Sequence, residues 1–184
     1  MNVIISYRRT NRLTMRLLKN GDLRVTAPLG MSQSEIRKFL TDHSEWIQQA
    51  IARTAENEDK RMAFFNQLPL RTKAEAEAAY RRLQALIPPM VEKYAGIMQV
   101  HPGRITYKAM ISQWGRCNVK TRELCFSAYL LLLPEWCVEH VVVHELAHLK
   151  VPGHGPAFHA VMDTYYPQWR AARKETLRIS RLEA

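Results

Sequence analysis

Apolar residues alternate with polar ones at Val3, Ile5 and Tyr7 and again at Leu23, Val25 and Ala27, the period-two signature of half-buried strands. Between these runs Asn20-Gly21 supplies the positive-φ pair that a tight hairpin turn demands. The chain is therefore expected to open on antiparallel strands. Ser32-Gln33-Ser34-Glu35 reads as a capping box. After it Ile36, Phe39, Leu40, His43, Trp46, Ile47 and Ile51 recur at helical spacing, which predicts a helix of about five turns. From Thr54 to Lys73 the period fails at Asn57, Asp59, Asn66 and Pro69, and a linker or mobile loop between two subregions is expected.

Helical spacing returns from Ala74 to Ala95, through Ala79, Leu83, Ile87, Val91 and Tyr94, with Pro88-Pro89 expected to break or kink it. The segments 105–109 and 124–128 alternate with period two around turn-prone Gly115 and Asn118, and read as a second antiparallel pair. Pro134-Glu135 suits a helix start, with proline at the first position and an acid in the first turn, and that helix can run to about Lys150. Gly153, Gly155 and Pro156 end it and begin another to about Tyr165. A basic helix from Gln168 to about Ser180 closes the chain. The fold class expected is α+β: N-terminal antiparallel strands and a helix, then a core with a small antiparallel sheet.

At 184 residues and 47% hydrophobic content, one compact domain with a real core is the default, spanning 1–184, and its catalytic core is expected at about 74–184. Three cysteines without a C-x-x-C pair argue against a disulfide framework and for a reducing, cytoplasmic setting. The apolar run around Leu130 to Leu133 falls far short of the roughly 20 residues of a membrane span, so a soluble protein without a membrane partner is expected. The net charge of +10 would attract acidic partners, nucleic acid included. Its densest cluster is Arg8, Arg9, Arg12, Arg16, Lys19 and Arg24.

One motif carries chemistry. His144-Glu145-Leu146-Ala147-His148 is H-E-x-x-H on the helix predicted after Pro134. Residues four apart share a helix face, so both imidazoles can reach one ion while Glu145 is turned to hold a water. The residue counts give roughly 0.02 such motifs per chain by chance. A tetrahedral catalytic zinc takes three protein ligands and keeps one position open. His154, in a glycine turn, is favoured as the third ligand; His159 lies one helical turn further on. His140 shares a face with His144, but three stacked residues span roughly 12 Å, too far for all to grip one ion.

The runs His144 to Lys150 and Gly153-His154-Gly155-Pro156-Ala157-Phe158 resemble the active-site segment of the YgjP-like metallopeptidases, relatives of the SprT and Spartan proteases. The likeness extends to Ser112-Gln113-Trp114-Gly115-Arg116-Cys117, to Tyr166-Pro167-Gln168-Trp169 and to the hairpin through Ala27-Pro28-Leu29-Gly30, and covers nearly the whole chain apart from the segment from Thr54 to Lys73. It implies a zincin-like core, a single Zn2+ held by His144, His148 and His154, and peptide or protein substrates. It also allows a nucleic-acid-associated protease. Glu145 is then the general base. Tyr165, Tyr166 and Arg116 are each conceivable oxyanion donors, and Asp163 or Glu139 could orient a ligand imidazole. Trp114 is expected to pack beneath the catalytic helix and Cys117 to be a small buried hydrophobe, with a thiolate ligand as its alternative. A zinc hydrolase of a non-peptide ester or amide, and a structural zinc module, are the competing functions.

Overall fold

The structure, a computed structural model, describes residues 1–18 and 20–181, so Lys19 of the basic cluster lies outside the described residues. Two compact units are present, Met1–Lys60 and Arg61–Ala184.

In the first unit, β1 (Val3–Arg8), β2 (Thr14–Leu17) and β3 (Leu23–Pro28) form a sheet of order β1-β3-β2. The Asn20-Gly21 turn joins β2 to β3 antiparallel, with Gly21 at φ +81, but β1 runs parallel to β3. The expected all-antiparallel opening is corrected there: the turn fixes only the strands it connects. Leu23, Val25 and Ala27 point inward onto Ile36 of α1 (Gln33–Asp42) and Ile47 of α2 (Ser44–Asn66). The capping box of α1 is complete, Ser32 accepting from the Glu35 amide and Glu35 accepting from the Ser32 amide.

The single helix expected after Ser32 is two, parted at His43, and α2 continues unbroken to Asn66 where a loop was expected. Polar composition over 54–66 marks an exposed face built of good helix formers, with Glu56 and Lys60 paired at 2.8 Å one turn apart. Phe64 and Phe65 close the helix by burying themselves in the core of the second unit.

That core is centred on α3 (Lys73–Met98) and α4 (Glu135–Ala147). Pro88 and Pro89 leave α3 continuous. The carbonyls they strand, on Gln84 and Ala85, belong to exposed residues, so water can serve them while Leu83, Ile87, Val91 and Tyr94 hold the other face in the core. Strands β4 (Ile105–Lys108), β5 (Gly115–Cys117) and β6 (Leu124–Ser127) form a sheet of order β4-β6-β5. The expected antiparallel pair 105–109 and 124–128 is in fact parallel. The turn around Asn118 joins β5, not β4, to β6, its side-chain oxygen accepting from the Lys120 and Thr121 amides. Helices α5 (Pro156–Tyr165) and α6 (Trp169–Ser180) complete the unit.

Candidate metal centre and active site

Helix α4 is apolar on nearly every side, with Val138, Val141, Val142, Val143, Leu146 and Ala147 buried. Consecutive valines are poor helix formers, but a helix enclosed all round draws its stability from packing. It is therefore a fixed scaffold for His144, Glu145 and, at its C-cap, His148. The chain reverses after it, with the Val151 amide donating to the Ala147 carbonyl at 2.9 Å, and returns His154 just before α5.

The three imidazoles meet. His144 Nε2 lies 3.2 Å from His148 Nε2 and 3.0 Å from His154 Nε2, and one ligand nitrogen from each ring lies within 4.8 Å of the others. His148 Nδ1 donates to the Val151 carbonyl at 3.4 Å, which leaves its Nε2 as a bare lone pair aimed at the other two rings. Three ring nitrogens this close can turn their lone pairs to one common point, so this donor set fits a divalent metal. Burial drives His144 down to about 3, helped by the charges of its neighbouring histidines and Arg173, and lowers His148 as well, so both rings stay neutral and able to ligate at neutral pH. Phe158 sits against all three rings at 4.8–4.9 Å between centroids, a common platform that accounts for an aromatic four residues after His154.

Glu145 is 5% exposed, and burial raises its carboxyl to about 8 against the counter-effect of a hydrogen bond from the Cys117 amide. Strand β5 crosses it at very close range: a Cβ on Gly115 would stand 2.6 Å from Glu145 Oε1. Only glycine admits this approach. The cavity in front of these groups measures about 720 Å³ and is also lined by Arg116, Cys117, His159, Trp169 and Arg173.

The other residues singled out from the sequence take different places. His159 is not part of the cluster; its ring stacks on Trp169 at 5.2 Å. His140 is buried beside His144 with Nδ1 lacking a partner among the described residues, and burial pushes it down to about 4. Asp163 accepts from the Trp169 indole at 2.8 Å and pairs with Arg170, and Glu139 pairs with Lys93 at 3.1 Å, so neither orients a ligand imidazole. Tyr166 is enclosed and donates to the Trp136 carbonyl at 2.6 Å, while Tyr165 lies under Lys150, which leaves Arg116 alone of the three oxyanion candidates on the cavity wall. Trp114 packs on Phe64 and Phe65, at 6.0 and 6.2 Å. Cys117 is half-buried, and its thiol is pushed up to about 11.

Sequence reasoning missed Arg173 and the roles of Gly115 and the Cys117 amide. Arg173 falls four residues after Trp169, on the face of α6 that reaches the cavity, and that spacing was its available signal.

Two solved structures resemble part of the chain. The metallopeptidase zymogen of Methanocaldococcus jannaschii jannalysin is 19% identical over 50% of this chain and 94% of its own, with a TM-score of 0.45. The metallopeptidase zymogen of Pyrococcus abyssi abylysin is 22% identical over 50% of this chain and 90% of its own, also with a TM-score of 0.45. No curated protein matches the chain. The model of the YgjP-like metallopeptidase domain matches residues 11–72 and 66–178, including the segment around Thr54 to Lys73 that the residue motifs alone did not reach. The chain therefore belongs to the YgjP-like metallopeptidase family.

Proposed function

We propose that the protein hydrolyses peptide bonds in protein or peptide substrates with one Zn2+ held by His144, His148 and His154, and that Glu145 is the general base. The observation that carries this reading is the convergence of three Nε2 atoms, that of His144 lying 3.2 and 3.0 Å from those of His148 and His154, in one cavity with a buried carboxylate. Neighbouring ligands of a tetrahedral zinc at about 2.0–2.1 Å stand roughly 3.3 Å apart. When bound, zinc acidifies a water and polarises the scissile carbonyl. With that positive charge beside it to favour its ionised form, Glu145 would take the water's proton and pass it to the leaving amine. Gly115, on which a Cβ would stand 2.6 Å from Oε1, leaves the carboxyl room, and the Cys117 amide favours its ionised form. The residues assigned these roles lie on β5, α4 and the turn before α5.

The test pairs the zinc-loaded wild type with Glu145→Gln on a denatured cell-extract proteome, reading new N-termini by mass spectrometry. The wild type is expected to generate them and the variant to retain its zinc while losing about 10²–10⁴-fold in rate. Equal cleavage by both, or none by either, overturns the assignment.

A second reading, association with nucleic acid, is favoured by one feature of the first unit. Arg16 and Arg24 stand directly opposite one another across β2 and β3, both exposed. Like charges so placed repel, and a phosphate backbone relieves them. Binding to duplex or single-stranded DNA is expected to weaken at least about tenfold between 50 and 200 mM salt; a flat response or no binding removes this reading.

A further inference from the structure

The cavity extends beyond the imidazoles along α6, where Trp169, Arg173, Thr176 and Leu177 line it at positions i, i+4, i+7 and i+8. Trp169 is held firmly, with His159 stacked on it at 5.2 Å and the Arg170 guanidinium 4.3 Å from its ring. Arg173 projects from the next turn of the same helix face and lines the cavity that holds His144 and Glu145.

Arg173 is exposed and has no carboxylate partner among the described residues. Glu175, Glu139 and Asp163 are engaged by other groups: Glu175 by Arg178, Glu139 by Lys93, and Asp163 by Arg170 and the Trp169 indole. Among the described residues lining the cavity the single acid is Glu145, which is buried and forms no ion pair with Arg173. The result is a cavity wall that carries the guanidiniums of Arg116 and Arg173 beside apolar and aromatic surface, with Arg173 on the α6 side, away from Gly115 and Glu145 in sequence and open to an entering ligand. The planar fork of arginine matches a carboxylate.

We propose that Arg173 is a specificity-determining residue that binds a carboxylate of the substrate, so that the enzyme selects peptides carrying a carboxylate near the scissile bond. The proposal rests on the peptidase reading above. Two sources present the same chemistry, an Asp or Glu side chain and a free C-terminus, and they predict internal and terminal cleavage respectively.

The experiment reads binding rather than turnover. Zinc-loaded Glu145→Gln protein is titrated calorimetrically with two sets of hexapeptides. One set is amidated at the C-terminus, with a single Glu, or Gln in its place, stepped through every position. The other carries no acidic side chain and ends in either a free carboxylate or an amide. In one set the carboxylate form is expected to bind at least about tenfold tighter than its neutral isostere. That preference should vanish on adding Arg173→Ala and survive in part with Arg173→Lys. Equal binding of acidic and neutral peptides, an unchanged preference in Arg173→Ala, or no binding of any peptide overturns the proposal. Wild-type cleavage without acidic preference sinks this inference alone. A preference that depends on Arg173 in a protein that cleaves nothing sinks the peptidase reading instead.

Discussion

The two sheets share one plan. In each, the first strand lies parallel to the third and the second strand pairs antiparallel on the other edge, giving β1-β3-β2 and β4-β6-β5. Their surroundings differ. The central strand β3 alternates between buried and part-exposed positions, whereas β6 is buried at every residue. The outer strand β2 carries solvent-exposed Thr14 and Arg16, whereas β5 presses Gly115 and the Cys117 amide onto the Glu145 carboxylate. Strand order thus confers no chemistry; what differs is the apolar helix carrying His144 and Glu145 on which the second sheet closes.

The sharpest way to break this contrast is to empty the metal centre. His154→Ala should reduce bound zinc in elemental analysis from one equivalent to near zero and abolish hydrolysis, while His159→Ala, outside the cluster, should keep its zinc. Full zinc retention by His154→Ala would refute the ligand assignment. Next in size is Gly115→Ala, whose added methyl must displace Glu145; a loss of about 10- to 100-fold in kcat is expected, with about 1–3 kcal/mol of stability lost to overpacking. The corresponding end of β2 offers the control. Thr14→Ala should leave activity unchanged and shift stability by less than about 0.5 kcal/mol in denaturant unfolding.

A smaller effect is expected from pH. Glu145 in the metal-free protein is raised to about 8 from an ordinary 4.5, so the folded state holds a proton that the unfolded chain has released between those values. Stability from this group is therefore present at low pH and lost as pH rises from about 4.5 to 8. The depressed histidines act in the opposite sense at acid pH, but they are common to wild type and Glu145→Gln. After chelation, the Tm of the variant is expected to gain on that of the wild type by several degrees between pH 5 and 8; parallel curves would contradict a buried, protonated Glu145.

Much of the site was legible in the sequence because its geometry is local. His144, Glu145 and His148 are set by helical spacing, and His154 by a short turn, so chain connectivity alone brings them near each other. Arg173 and Gly115 come from distant segments, and their meeting with the site depends on tertiary packing that periodicity does not encode. Strand direction was misread for the same reason, since alternation at Ile105–Lys108 reports a buried face but not the sense of the partner. The stretch from Thr54 was misread for another: its polar residues signalled exposure, and exposure resembles a loop when a helix carries few apolar anchors. Asp163, Glu139 and the Tyr166 hydroxyl were each spoken for by partners, Arg170, Lys93 and the Trp136 carbonyl, that no linear pattern reveals.

Cys117 adds a final consequence for chemical control of the protein. Burial and the nearby Glu145 push its thiol up to about 11, so at neutral pH the nucleophilic thiolate is scarce. The residue lies on the cavity wall yet remains inert. Iodoacetamide at pH 7 should therefore leave activity intact over hours in which a chelator abolishes it, and inhibitors of this enzyme are better sought among metal-binding groups than among electrophilic warheads.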